Sequence, residues 1–333
     1  MNDGTDKWED MGSACSLPVQ ILSSPESREH SIFAPRDEKF DFDQYLYHYT
    51  KWETLLEIAY SKCMRMSSLA KMNDPRESKD WLLGTSQHGQ IDLEGIDDAE
   101  IVREVASFKR KVKVLSLSQD VDRGAWHDRY LGAGFARPTM WAHYGGNHTG
   151  GCIVFDKRRL VERFESNQDF GFPTMIIPGA VEYSAESFGG DLSHRGIDVS
   201  AIRAQGVEKA VRAHFAGLSK IWLQKHSDWG SEAEYRFIFP DFLVREWRDI
   251  DVSGCVVGLV LGVDFKESHL SVAEKFDEVF SLDGQVTGSV WTGARWGRRD
   301  LEQVDGSWRY VKDLRGTNHT SITTTVDPPT PSE

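Results

Sequence analysis

Two glutamates on one short segment carry the strongest indication of chemistry. The alternation of polar and apolar residues predicts a strand over Glu232–Phe239, with Glu232, Glu234 and Arg236 on one face and the apolar residues packed inward. At a rise of about 3.4 Å per residue, the two carboxylates stand about 7 Å apart, so each reaches a different atom of one small substrate. Their repulsion should raise one pKa, which Arg236 should oppose. The alternative is a solvated, charged strand face.

A second candidate segment places a histidine between two tyrosines, in Leu46-Tyr47-His48-Tyr49-Thr50. Imidazole donates or accepts hydrogen bonds to a sugar hydroxyl, and a tyrosine ring stacks on a planar group. The segment lies in a predicted strand over 42–50. An aromatic core strand that holds one satisfied histidine is the alternative interpretation.

The third segment, 140–151, joins an aromatic helical turn to a run of glycines. Trp141 and Tyr144 fall on one helical face, and glycines allow a backbone to approach a ligand closely. His143 and His148 are five residues apart, which differs from the i, i+4 spacing of two zinc ligands on one helix. A packed aromatic helix cap is the alternative.

The elements that must position these residues are strands and helices of varied length. Periodicity predicts strands over 42–50, 64–69, 112–118, 151–156, 179–183, 232–239 and 255–263, helices over 52–61, 97–111, 139–144 and 202–223, and a hairpin at Val304–Ser307. Strands outnumber helices without regular alternation. We therefore expect an α+β protein with a mixed or largely antiparallel sheet flanked by helices.

Composition sets the expected organisation of the chain. Residues 41–315 should form a single globular domain, after a mostly flexible leader over 1–40 and before a disordered Thr- and Pro-rich tail over 316–333. The longest apolar stretch, about eight residues, is far shorter than the roughly twenty of a membrane helix. No secretory signal is apparent, which favours a cytoplasmic protein.

Charge and cysteine content exclude further classes of protein. The chain has 333 residues and a net charge of −13, which argues against extended wrapping of nucleic acid. Its four cysteines form no CxxC pair, so neither a disulfide framework nor a zinc knuckle is expected. No dinucleotide-binding glycine fingerprint or Walker loop is present.

Together these segments resemble a bacterial family known as domain of unknown function 2971. The resemblance spans roughly residues 45–265. The matching pieces occur in the family's order: 46–50, 72–77, 115–118, 140–144 with 150–156, and 220–222 leading to 232–237. The family implies no activity.

The order of the motifs also resembles that of ADP-ribosyltransferases of the His-Tyr-Glu type. The resemblance implies an ADP-ribosyltransferase-like fold, NAD as a consumed substrate and no requirement for a metal. Glu234 would bind the ribose and stabilise the oxocarbenium-like transition state. Glu232 would orient or deprotonate an unknown acceptor, and His48 would hold a ribose hydroxyl. Tyr144 would stack on nicotinamide.

Tyr49 or Trp141 could take the place of Tyr144 in stacking on the nicotinamide. An enzyme of this type would act as a toxin or a phage-defence effector, with a small-molecule nucleotide as its partner.

Two other classes of function stay open at this point. A non-enzymatic binding or sensing module would use the aromatic strand and the Trp-rich segments as a recognition pocket. A metal-dependent hydrolase or nuclease would need Asp74, Glu77, His143 and His148 to converge on a divalent ion. A helix cap or Asx-turn is the simpler interpretation of Asp74 and Glu77.

Overall fold

Short helices and strands alternate irregularly along the chain. The computed structural model describes residues 32–34, 39–79, 85–86, 96–124, 130–166, 177–185, 196–217, 222–241, 246–292 and 295–311. The predicted tail over 316–333 and most of the predicted leader over 1–40 lie outside these residues. Within the leader, Ile32 and Phe33 are described and buried.

The described residues form eight helices and sixteen strands. The helices are α1 (Trp52–Ser61), α2 (Pro75–Ser78), α3 (Asp98–Lys111), α4 (Pro138–His143), α5 (Lys157–Ser166), α6 (Val199–Gln205), α7 (Val207–Gly217) and α8 (Leu270–Phe280). The strands are β1 (Tyr45–Thr50), β2 (Cys63–Ser68), β3 (Thr85–Ser86), β4 (Val112–Gln119), β5 (Gly151–Asp156), β6 (Ile177–Ala180), β7 (Glu182–Ser184), β8 (Ile197–Asp198), β9 (Gln224–His226), β10 (Glu234–Pro240), β11 (Trp247–Asp251), β12 (Val256–Leu261), β13 (Val286–Thr292), β14 (Arg295–Arg299), β15 (Leu301–Val304) and β16 (Ser307–Tyr310).

Ten of the strands form one sheet. Eight lie side by side in the order β11-β2-β4-β1-β5-β12-β13-β14, while β10 pairs with β4 and with β6. All pairs within this sheet are antiparallel except β12 with β13. The predicted α+β class, with a mixed and largely antiparallel sheet flanked by helices, is confirmed.

Apolar residues cover the two faces of the sheet differently. One face carries a single main core, in which Leu55 of α1, Phe164 of α5 and Phe276 of α8 pack on the strands. The opposite face carries two separate clusters. The tyrosine cluster contains Tyr45, Tyr47, Tyr49, Phe135 and Trp141, and the α3–α7 cluster contains Val105, Phe108, Val211, Phe215 and Ile238. The strand surface between these two clusters is polar.

Two predicted elements are broken in the structure. The helix expected over 202–223 is wrong as a single element, because α6 ends at Gly206, which adopts a φ of 85°, and α7 begins at the next residue. The strand expected over 179–183 is two strands, β6 and β7, which pair with β10 and β9 respectively. Each strand therefore joins a different ladder.

The predicted hairpin at the end of the domain is confirmed. Asp305 and Gly306 have φ values of 50° and 79°, as a two-residue turn between β15 and β16 requires. None of the helices in the described ranges is long and apolar enough to cross a membrane.

Candidate functional site

The central feature of the site is a fork in the sheet around β4. On one edge of β4, β10 pairs with all of 112–118. On the other edge, β1 pairs with 118–119 and β2 with 113–114. Among the described strands, the residues between these two ladders, 115–117, therefore have no partner on that edge. β1 and β2 diverge there and leave an opening above the middle of β4.

The polar surface between the two apolar clusters lies beside this opening. Glu234 and Arg236 of β10 stand opposite Ser118 and Ser116 of β4, so the four side chains share one face of the sheet. The next pair along, Ile238 and Val114, belongs to the α3–α7 cluster. The sequence thus changes from apolar to polar where the fork opens.

A cavity of about 280 Å³ occupies this position. The residues that line it come from five parts of the chain: Tyr47, His48 and Tyr49; Arg65, Ser67, Lys71, Met72, Asn73 and Glu77; 114–118 of β4; Met140 and Tyr144; and Lys225, Glu232 and Glu234. Five of the six expected site residues therefore line one cavity: His48, Tyr49, Tyr144, Glu232 and Glu234.

Buried ion pairs connect the carboxylates of the cavity. Arg236 donates from Nε to Oε1 of Glu234 at 2.7 Å and from Nη2 to Oε2 at 2.9 Å, and its Nη1 donates to Glu77. Nζ of Lys225 lies 2.6 Å from Oε2 of Glu232 and 3.2 Å from Oε2 of Glu234. The hydroxyl of Tyr144 donates to Oε1 of Glu232 at 2.7 Å.

The charged face of β10 is therefore buried and not solvated. Glu232, Glu234 and Arg236 are 6%, 4% and 0% exposed, and Lys225 is 6% exposed. Charges this deep are tolerated only when they are paired and hydrogen-bonded. The ion pairs that link these residues with Glu77 meet that requirement, and we call the five residues the inner charge group.

The inner charge group fixes the protonation state of its members. Burial alone would raise the pKa of Glu234, but Arg236 and Lys225 outweigh it and hold the pKa at about 2. Burial would lower the pKa of Lys225, yet Glu234 and Glu232 raise it. Burial raises the pKa of Glu77, which the ion pair with Arg236 opposes. Glu234 and Lys225 are thus charged at neutral pH.

A backbone turn aims both glutamates into the same cavity. The strand predicted from Glu232 begins only at Glu234, because Ser227–Glu232 forms a 3₁₀ turn and Ala233 adopts a left-handed conformation with φ 42° and ψ 58°. The carbonyl of Ala233 accepts from the N–H of Gln119 at 2.9 Å, which ties the turn to β4. The two carboxylates approach Lys225 from different elements, not from one strand face.

His48 lies at the fork itself. By alternation along β1 its side chain belongs to the main-core face, but the divergence of β2 lets it reach the cavity. Its Nδ1 lies 3.4 Å from the carbonyl oxygen of Ser116. Burial lowers the pKa of His48 to about 4, although the hydrogen bond to Ser116 acts in the opposite direction. The imidazole is therefore neutral at pH 7.

Rigid aromatic rings form the wall next to His48. The hydroxyl of Tyr47 donates to Asp120 at 2.7 Å, and that of Tyr49 donates to the carbonyl of Gly134 at 2.6 Å. Trp141, expected among the binding residues, does not line the cavity. It is 0% exposed, its indole N–H donates to the carbonyl of Phe135, and its ring packs edge-on against Tyr49. Trp141 therefore supports Tyr49 from behind.

The glycines after Tyr144 serve packing and not ligand approach. A Cβ on Gly145 would lie 2.6 Å from the ring of Trp141, and one on Gly150 would lie 2.0 Å from the carbonyl oxygen of Thr50. Both positions therefore need glycine because protein atoms approach the backbone.

Three residues of the site were not assigned a role in this cavity by sequence reasoning. Glu77 and Asn73 stand in the turn that matched the family pattern. Asn73 donates from Nδ2 to the hydroxyl of Tyr144 at 3.1 Å, and Glu77 holds Arg236. Lys225 gave no signal, because a single lysine beside a short strand resembles any surface lysine. The family motif was the signal for the other two.

The metal-site alternative finds no arrangement that supports it in the described ranges. No three His, Cys, Asp or Glu side chains gather there as a metal ion would need. Glu77 accepts a hydrogen bond from Arg236, and His143 is exposed. The four side chains named for that alternative do not form such a group.

Comparison with known proteins concerns a part of the chain that supplies five of the 19 residues lining this cavity. Residues 140–237 match the family described as Protein of unknown function (DUF2971), which confirms the resemblance over that segment. The segment contains Tyr144, Lys225, Glu232 and Glu234. Searches of curated proteins and of solved structures return no match. The resemblance to ADP-ribosyltransferases stays a prediction.

Proposed function

We propose that the protein is an NAD-consuming enzyme of the ADP-ribosyltransferase type and that the cavity at the fork is its active site. One observation carries the proposal: His48, Tyr144 and Glu234, which are far apart in the sequence, line one cavity. A site for breaking a glycosidic bond needs a carboxylate beside the sugar, a hydroxyl-binding group and a surface for the leaving ring.

The fork suits the leaving group of such a reaction. Residues 115–117 of β4 have no strand partner on the edge that faces the opening, within the described chain. An unpaired strand edge presents N–H and C=O groups, which a carboxamide complements with its own donor and acceptor. The carbonyl oxygen of Ser116 lies 3.4 Å from Nδ1 of His48 and has a second lone pair for such a ligand. The aromatic rings of Tyr49 and Tyr144 lie near enough to line the same space. Nicotinamide carries both the ring and the carboxamide.

The reaction divides between the two glutamates. The bond from C1′ of the ribose to the pyridinium nitrogen breaks, and its electron pair neutralises the departing nicotinamide. Positive charge then develops on the ribose, where the ionised Glu234 stabilises it. An acceptor hydroxyl or water forms the new C1′–O bond, and its proton passes to Glu232. His48 holds a ribose hydroxyl as a neutral imidazole.

The size of the cavity indicates which part of NAD it holds. A volume of about 280 Å³ is at or just below the small end for ligand sites, roughly 300–1,000 Å³. It accommodates the nicotinamide ring with its ribose, and the phosphates would extend to the rim. Arg65 and Lys71 lie there with side chains more than half exposed.

The test incubates the purified chain with NAD and with candidate protein, DNA and RNA acceptors. Chromatography then measures the nicotinamide that is released. We expect release by the wild type, a loss of at least about 100-fold in Glu234→Gln, and wild-type rates in Glu302→Gln, whose side chain is exposed on β15. Absence of release under all these conditions, or full activity in Glu234→Gln, would contradict the proposal.

One observation favours a second candidate, a binding module without turnover. Both carboxylate oxygens of Glu234 already accept hydrogen bonds from Arg236, and Oε2 also faces Lys225. A carboxylate that is hydrogen-bonded in this way can orient a ligand. Its negative charge is partly neutralised by Arg236 and Lys225, so it stabilises a developing positive charge less strongly. Calorimetric binding of NAD with no nicotinamide release would support this module over the enzyme.

A further inference from the structure

We propose that the cavity selects a planar aromatic ring that carries one positive charge over the neutral form of the same ring. This inference deepens the proposed function, on which it rests for the identity of the ring as the pyridinium of NAD. It predicts that oxidised NAD is bound and that its reduced, uncharged ring is rejected.

The charge of the inner group is the first argument. In the ionised forms that make these ion pairs, Glu77, Glu232 and Glu234 carry three formal negative charges, and Lys225 and Arg236 carry two positive charges, so the formal sum 2 − 3 is −1. All five side chains are at most 6% exposed, so water screens this excess poorly. A monocation in the cavity completes the balance.

Other titratable groups around the cavity do not cancel this excess. Arg65 at the rim pairs with Asp249, and Lys71 pairs with Glu246. All four side chains are exposed to between 45% and 58%, so solvent screens them. His48 is neutral at pH 7. Arg137 and Asp120, buried beside Tyr49 at 6% and 5% exposure, carry opposite formal charges and together leave the balance unchanged. The inner charge group therefore keeps its formal excess of one negative charge.

The aromatic wall is the second argument. Tyr144 is half-buried beside the cavity, and its hydroxyl donates to the carboxylate of Glu232. Hydrogen bonding to a carboxylate increases the electron density of a phenol ring, which strengthens its attraction for a cation. Burial, together with Glu232, also raises the pKa of Tyr144, so the phenol keeps its proton.

Two buried polar atoms are the third argument, because they point to a missing partner. Within the described residues, Oε2 of Glu77 and Oγ of Ser118 have no hydrogen-bond partner. Both side chains line the cavity, at 3% and 1% exposure. Unsatisfied buried polar atoms are uncommon in native proteins, so a bound ligand with donor groups is the simplest occupant.

Two matched ligand pairs test the inference without turnover. 1-Methylnicotinamide, methylated on the ring nitrogen and therefore a cation, is compared with neutral nicotinamide, and 1-methyladenosine, also a cation, with neutral adenosine. Binding to the full chain is measured by calorimetry at pH 7. We expect the charged pyridinium to bind at least about tenfold more tightly, which is about 1.4 kcal/mol. Glu232→Gln, which cancels the excess charge, should abolish this preference, and Glu302→Gln should keep it.

The outcomes separate this inference from the proposed function. Preference for both cations, or for the methylated adenosine alone, supports selection of an aromatic cation, and the second result would remove NAD as the ligand. Equal affinity within both pairs overturns the inference, even if NAD is cleaved. Failure of all four probes to bind overturns it as well. The comparison of probes on the wild type needs no variant. The inference can therefore be refuted even if Glu232→Gln does not fold.

Discussion

Arg236 provides the sharpest test of the buried ion network. Its guanidinium is 0% exposed and contacts Glu234, Glu77 and the carbonyl oxygen of Trp222. Arg236→Met keeps much of the side-chain volume but removes the cation that pairs with Glu77 and leaves Glu234 with Lys225 alone. Removal of one partner from a buried pair costs about 3–5 kcal/mol, because the other charge stays uncompensated.

The pKa of Glu234 gives the net effect of burial and of its ion pairs with Arg236 and Lys225. Its folded value of about 2, against an ordinary 4.5, corresponds to about 3 kcal/mol at about 1.36 kcal/mol per pKa unit. Because the pKa is lower in the folded chain, this stabilisation is complete above about pH 4.5 and is lost as the pH falls towards 2.

Urea unfolding at several pH values measures the effect. We expect Arg236→Met to lower the free energy of unfolding by about 3–5 kcal/mol at pH 7, with a smaller difference from wild type below pH 4.5. Arg158→Met is the matched control, because its pair with Glu162 is exposed and should contribute less than about 1 kcal/mol. A loss in Arg236→Met no larger than in the control would refute the network.

Three further changes test separate parts of the site. The wild type should lose at most about 3 kcal/mol of unfolding free energy as the pH falls from 6.5 to 4, because the folded His48 imidazole resists protonation. His48→Asn should remove this loss in urea unfolding, and an unchanged pH profile would contradict the burial of His48. Tyr144→Phe should cost about 1 kcal/mol in thermal unfolding and slow nicotinamide release, because Glu232 loses a hydrogen bond; full activity would argue against its role. Ala233→Val should lower stability by more than about 1 kcal/mol, whereas Ala233→Gly should not, because a β-branched residue resists a φ of 42°; equal effects of the two would refute strain at this turn.

Periodicity alone identified most of the elements that build the site. β1, β4 and β5 follow from alternation of apolar residues, and α1 and α3 from helical spacing, since each element is local and strongly patterned. The inward apolar face of β10 was also predictable. Fold class follows from the same signals.

Sequence reasoning failed where one residue changes the backbone. Ala233 adopts a left-handed conformation that no propensity favours, so the start of β10 was placed two residues too early. Gly206 interrupts a helical pattern that otherwise continues, and only its φ of 85° ends α6 there. The turn at Ala233 is held by a distant strand, through the hydrogen bond from Gln119, whereas the backbone bonds of Gly206 are local, to Ile202 and Ala210.

The candidate site could be predicted only in part. His48, Tyr144, Glu232 and Glu234 stood out by residue type and by family motif. Their convergence depends on the fork, which arises because β1 and β2 compete for one edge of β4, and strand pairing of this kind is not encoded locally. Lys225 joins the site through the same long-range packing. Trp141 lies behind Tyr49 and not in the cavity lining, since helical spacing alone does not show which side of a helix faces a cavity.

A crystal structure with a non-hydrolysable carba analogue of NAD tests the central claim most directly. We expect the nicotinamide ring in the cavity at the fork, against Tyr144, and C1′ of the ribose in contact with the carboxylate of Glu234. An analogue seated elsewhere on the chain, with this cavity unchanged, would contradict the account.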